Sequence, residues 1–109
     1  MNDKEITEII ATSPEVMGWE RTEFNNWYTE QGNPRSEVVG QRNFTPLTSD
    51  ADCMMAWDKF SEGTMTQIIT NFNEDGEKMW WAYRESYNLG NDTDRRRAMC
   101  EGMVKAVTS

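Results

Sequence analysis

The most unusual local chemistry in this 109-residue chain is the run Asp92-Thr93-Asp94-Arg95-Arg96-Arg97. Asp92 or Asp94 suits a helix start, where a side-chain oxygen accepts from free backbone amides. Three arginines in a first turn oppose the helix dipole. Two readings follow. Either the arginines pair with acids on a solvated face, or Arg95, Arg96 and Arg97 hold an anion, because guanidinium groups and helix-start amides both suit phosphate. In the second case the ligand is a nucleotide or another phosphorylated small molecule, with Lys78 and Arg84 joining if the fold brings them near.

The aromatic residues Trp19, Trp27, Tyr28, Trp57, Trp80, Trp81, Tyr83 and Tyr87 form a second group. Trp57 reads as core. Strand alternation sends Trp80 and Trp81 to opposite faces, so one of them is free to anchor an interface. The expected partner-binding set is Trp80 and Tyr83 with the acids of the same hairpin, Glu74, Asp75 and Glu77. A base-stacking platform would need neighbouring cations, and Arg84 alone is close in sequence.

Catalytic constellations are missing. The chain has no histidine, which removes the commonest general base and the imidazole zinc ligand. Cys53 and Cys100 fall in separate helical patterns without metal-ligand spacing and read as reduced core residues. Asn73-x-Asp75-Gly76 lacks the spaced ligands of a calcium loop, and neither a Gly-rich phosphate cradle nor a nucleophile elbow occurs. No catalytic residue, metal or cofactor is expected.

Acids outnumber bases 19 to 11, for a net charge of −8. That field repels phosphate backbones, so direct nucleic-acid binding is disfavoured, and it attracts a basic partner. Hydrophobic residues make up 37% of the chain, enough for one domain over residues 1–109 with its own core. The apolar runs fall far short of the ~20 residues that cross a bilayer, and no secretory segment follows Met1. A soluble, cytoplasmic protein without membrane contact is expected.

Several elements position these residues. Asn2 or Asp3 caps a first helix carrying Ile6, Ile9 and Ile10, which Ser13-Pro14 interrupts before Gly18 closes the segment. Phe24 to Val39 reads as a hairpin around Gln31-Gly32-Asn33-Pro34, and 40–48 as a loop anchored by Phe44. Ser49 or Asp50 caps a second helix with Cys53, Ala56, Trp57 and Phe60 on its buried stripe, stopped by Gly63. Thr64–Phe72 and Lys78–Arg84 form a hairpin about Asp75-Gly76, and Ser86–Asn91 reads as a loop. A last helix runs from near Asp92 to Val107, with Ala98, Met99, Gly102, Met103, Ala106 and Val107 inward. The order α-β-β-α-β-β-α implies an α+β domain with a mostly antiparallel sheet packed by helices.

Several of these segments coincide with a known pattern. Val16-Met17-Gly18-Trp19 follows the first helix, with Trp27 beyond it. Phe44-Thr45-Pro46 leads into Ser49-Asp50-Ala51-Asp52-Cys53-Met54-Met55-Ala56-Trp57 and Phe60, and the closing helix reads from Arg97-Ala98-Met99-Cys100 to Ala106. Together they resemble the phage ABA-sandwich domain, in which "VMGW", "STDxAAAW" and "AICxAALKA" stretches recur in this order. Ser13-Pro14, Met54-Met55 and Arg95-Arg96-Arg97 depart from that pattern. The resemblance implies a layered α+β sandwich and a phage origin. It implies no established activity and carries over no site residues.

The leading expectation is a non-enzymatic, phage-encoded interaction protein in the host cytoplasm. Its acidic, aromatic-bearing surface would inhibit a host protein with a basic surface, in antiviral defence or nucleic-acid binding. The alternatives are a module sequestering a phosphorylated small molecule through the arginines, and a small phage assembly or housekeeping protein. A homo-oligomer is expected if both faces of the Met79–Tyr83 strand are apolar.

Overall fold

A computed structural model describes residues 1–21, 27–28, 34–35 and 44–108. The chain runs through α1 (Asp3–Thr12), β1 (Glu20–Arg21), β2 (Trp27–Tyr28), β3 (Pro34–Arg35) and α2 (Asp50–Phe60). It continues through β4 (Thr66–Phe72), β5 (Lys78–Arg84), β6 (Tyr87–Asp92) and α3 (Arg95–Thr108). The expected α+β class holds: the described residues form three helices, and the strands among them pair antiparallel.

The first helix begins as its sequence suggests, with the Asn2 side chain accepting from the Glu5 amide at 2.8 Å. Ile6 and Ile10 are buried and Ile9 is half-buried, so the isoleucine stripe faces the core. Pro14 has no amide to continue the helix. The chain turns there, and the amide of Gly18 closes back on the Ser13 carbonyl at 2.8 Å. Trp19 then packs edge-on against Phe44, with ring centroids 4.9 Å apart.

In the first sheet β2 pairs with both β1 and β3, and Tyr28 lies opposite Pro34. Pro34 therefore belongs to a strand rather than to the expected turn. Phe24, Gln31, Gly32, Asn33, Val38, Val39 and the loop residues 40–43 lie outside the described residues.

Ser49 caps α2, and Cys53, Ala56, Trp57 and Phe60 are buried as expected. Asp52 is buried as well: its Oδ2 accepts from the Thr45 amide at 2.9 Å and so ties the turn at 45–48 to the helix. The helix ends at Phe60, with Ser61 as its cap.

The second sheet has the order β4-β5-β6. Its hairpin turn forms because Asn73 Oδ1 accepts from the amides of Asp75 and Glu77, both at 2.9 Å, while Gly76 takes φ 79°. The expected loop over Ser86–Asn91 is a correction. Tyr87–Asp92 forms a third strand paired with β5, with a bulge opposite Ala82/Tyr83. Gly90 and two asparagines hide the strand signal in the sequence, and pairing with a well-formed neighbour overrides their weak propensity.

The last helix packs on β5 and β6 with one side and meets α1 and α2 with the other. Gly102 allows this approach. A methyl group there would lie 3.1 Å from Ala82 Cβ and 3.2 Å from Leu89 Cβ. Met99 and Met103 flank it, fully buried. Cys53 Sγ donates to Met99 Sδ at 3.8 Å, so both cysteines sit where α2 and α3 meet.

Candidate functional site

Strand alternation divides the side chains of β5 between two environments. Ala82 faces α3 and is fully buried. Trp80 and Arg84 share its parity and therefore the helix side of the sheet. Met79, Trp81 and Tyr83 take the opposite, outer face. Their cross-strand neighbours there are Asn71, Ile69 and Gln67 on β4. All three helices lie on the other side or away from the sheet, so among the described residues no helix packs on this outer face.

The outer face is consequently a half-buried aromatic and aliphatic stripe. Met79, Trp81 and Tyr83 are each partly covered, and Ile69 is 44% exposed. Trp81 Nε1 is shielded from solvent and has no hydrogen-bond partner. A covered donor without an acceptor costs about 1–3 kcal/mol.

At one end the stripe runs into the hairpin turn. Glu74, Asp75 and Glu77 are all exposed there, and their carboxylates form no ion pair among the described residues. Glu77 has the outer-face parity of Met79, and Glu77 to Tyr83 spans about 20 Å at strand rise. Acids and aromatics thus form one continuous strip.

The structure separates the two expected anchors. Tyr83 lies on the outer face. Trp80 lies on the helix side, where Lys78 Nζ stands 5.0 Å and Arg95 Cζ 5.9 Å from its ring centroid. Its π face is already in contact with cations of its own chain. Trp81 holds the position that Trp80 was expected to hold. Ala82 was the signal in the sequence. A small residue between bulky ones marks the face against which a helix packs closely, and puts its neighbours on the other.

The arginine run is brought together, but against carboxylates. Arg95 Nη2 donates to Asp50 Oδ1 at 2.6 Å, and Arg96 Nη1 donates to the Thr48 carbonyl at 3.0 Å. Arg97 reaches Asp3 at 2.6 Å through Nη2 and Glu101 at 3.0 Å through Nη1. Hydrogen bonds from Asp3 and then Glu101 raise the pKa of Arg97 further above its ordinary value. Asp94 caps the helix itself, with Oδ1 accepting from the Arg96 amide at 2.9 Å. These arginines tie α3 to α1 and α2. A phosphate there would have to displace Asp50 and Asp3. Arg84 is not part of this cluster, pairing instead with Glu15 at 3.7 Å and stacking over Phe60 at 5.0 Å.

A cleft of about 550 Å³ opens at the far end of α3, lined by Arg84, Glu85, Tyr87, Asn88, Leu89 and Lys105. Its charges oppose one another: Arg84 is paired with Glu15, and Glu85 accompanies Lys105. Among the described residues no group of three or more Cys, Asp or Glu side chains is placed to hold a metal ion. Nor is any helix there long and apolar enough to cross a membrane.

Comparison of the chain with protein-family models, curated proteins and solved structures finds no match in any of the three.

Proposed function

We propose that this chain acts by contact, as a non-enzymatic binding protein whose outer sheet face docks on a partner with a basic surface. The observation that carries this reading is the half-buried stripe of Met79, Trp81 and Tyr83, on which no helix packs among the described residues, continued by Glu74, Asp75 and Glu77 at the hairpin turn. Aromatic residues on a rigid strand supply affinity at little cost in conformational entropy, and flanking acids steer a basic partner. The net charge of −8 acts in the same direction. The absence of histidine from the whole sequence supports binding over turnover.

The setting follows from the resemblance to the phage ABA-sandwich domain. The chain is read as phage-encoded and as a layered α+β sandwich. In the host cytoplasm it would inhibit a host defence or nucleic-acid-binding protein by covering its basic surface. The partner's phosphate-binding groove is the chemistry that such an acidic strip fits.

The test is capture from a bacterial lysate by the tagged protein, followed by variants. Reversing Glu74, Asp75 and Glu77 to lysine should abolish capture of the principal partner in low salt. Trp81→Ala and Tyr83→Ala should weaken it at every salt concentration. A partner retained equally by all of these variants would overturn the reading.

A further inference from the structure

Among the described residues, strand β4 is an open edge of its sheet. The register decides which of its backbone groups lack a partner. Glu85 N–H donates to the Met65 carbonyl at 2.7 Å, and Asn73 N–H donates to the Glu77 carbonyl at 2.9 Å. The bonded pairs therefore fall at the odd positions of β4. The N–H and C=O groups of Thr66, Ile68 and Thr70 point away from β5, along the free edge. The amide of Phe72 points the same way, but Asn71 Oδ1 already accepts from it at 2.8 Å.

Edges are usually blunted by charge, proline, bulges or short length. At the other edge, β6 carries a bulge, Asp92, and a Gly90 amide that donates to Asn88 Oδ1 at 2.9 Å. The seven residues of β4, Thr-Gln-Ile-Ile-Thr-Asn-Phe, contain no charge, proline or glycine. Ile69 and Phe72 on this strand and Met65 just before it are half of the exposed large hydrophobic side chains among the described residues.

We propose that β4 pairs antiparallel with β4 of a second copy, about a two-fold axis that passes beside Ile68 at right angles to the sheet. Ile68 then lies opposite the partner's Ile68, and Thr66 opposite the partner's Thr70. Every outward N–H of these residues meets an outward carbonyl. A register centred one residue later would need the amide of Phe72, which Asn71 occupies. A second copy fits this edge better than a basic protein does, because from Thr64 to Asn73 no acid is present to attract one. For the same reason neither copy sets a charge against the other at the axis. The axis keeps both outer faces on one side of a six-stranded sheet, so two aromatic stripes become one surface. The pairing stands whether or not that surface binds a basic partner.

Sedimentation of the full chain from about 1 μM to about 1 mM tests this. The mass should rise from 12.7 kDa toward twice that value. Added salt should strengthen association, since each copy carries −8, whereas docking on a basic partner weakens with salt. Hydrogen exchange on the same samples gives the register: the amides of Thr66, Ile68 and Thr70 should gain protection with concentration, while those of Gln67, Ile69 and Asn71 stay protected throughout. Ile69→Lys and Thr70→Pro should each weaken association by about tenfold or more while retaining the native circular dichroism. A monomer over the whole range would overturn the proposal, as would a dimer whose Thr66, Ile68 and Thr70 amides exchange at the monomer's rate. Should either variant fail to fold, exchange in the unaltered protein decides the matter.

Discussion

Replacing Gly102 by alanine probes how closely α3 rides on the sheet, and two effects oppose each other. Alanine in a helix interior is favoured over glycine by roughly 0.5–1 kcal/mol. Against this, the new methyl would stand 3.1 Å from Ala82 Cβ and 3.2 Å from Leu89 Cβ. Those atoms are bonded directly to strand backbone and cannot swing aside as a side-chain end would. Relief requires α3 to lift from β5 and β6, and with it Met99 and Met103, which are fully buried. Overpacking of this kind costs about 1–3 kcal/mol, so the packing penalty wins and Gly102→Ala should destabilise by about 1–2 kcal/mol. At about 4–8 °C per kcal/mol for a domain near 100 residues, the fall in Tm should be at least a few degrees. Thermal and urea unfolding followed by circular dichroism would measure it, with the urea slope unchanged. Adding Ala82→Gly should return part of the loss, giving a favourable coupling of about 0.5 kcal/mol or more. A Gly102→Ala protein as stable as the original would refute the close approach.

Three further substitutions have outcomes that the geometry fixes. Glu85 begins the two-residue link between β5 and β6 at φ 56°, a left-handed conformation costing an L-residue about 1–2 kcal/mol, so Glu85→Gly should stabilise by up to about 1 kcal/mol in urea unfolding. Unchanged or lower stability would contradict that. Asp52→Ala removes a buried carboxylate from the Thr45 amide and should cost about 1.5–3 kcal/mol in the same assay. The Cys100 thiol is pushed far above its usual range by its hydrogen bond with Cys53 and then by burial, while the same bond lowers Cys53, so the folded pair gives up one proton readily and holds the second on Cys100. Its contribution is complete below the ordinary thiol value of 9.0 and is lost as pH climbs beyond it, because the unfolded thiol ionises first. Unfolding free energy should therefore decline above about pH 9, by at most about 1.4 kcal/mol per pH unit, and Cys100→Ala should flatten that decline.

Where the sequence carried strong local signals, the elements follow it. Asn2 and Ser49 cap helices, Pro14 stops one, and Asn73 to Gly76 turns a hairpin, each through a side chain acting on its own neighbourhood. Features that depend on distant partners were harder to read. Tyr87–Asp92 has little strand propensity of its own and forms a strand because β5 offers it a ladder. Asp50 and Asp3, which answer Arg95 and Arg97, lie 45 and 94 residues away in sequence, so spacing could not separate an ion-paired face from an anion site. Trp80 and Trp81 are equivalent by alternation alone. The small Ala82 beside them breaks the tie, and the packing of Gly102 against it shows that Trp80 is the one on the helix side.

A chain that works by occupying a surface acts stoichiometrically. Purified protein titrated into its captured partner should reduce that partner's activity in proportion to the amount added and reach the end point at equivalence. The effect should be reversed on dilution into high salt. Full inactivation far below equivalence, persisting after the chain is removed, would mean turnover and rule out action by contact.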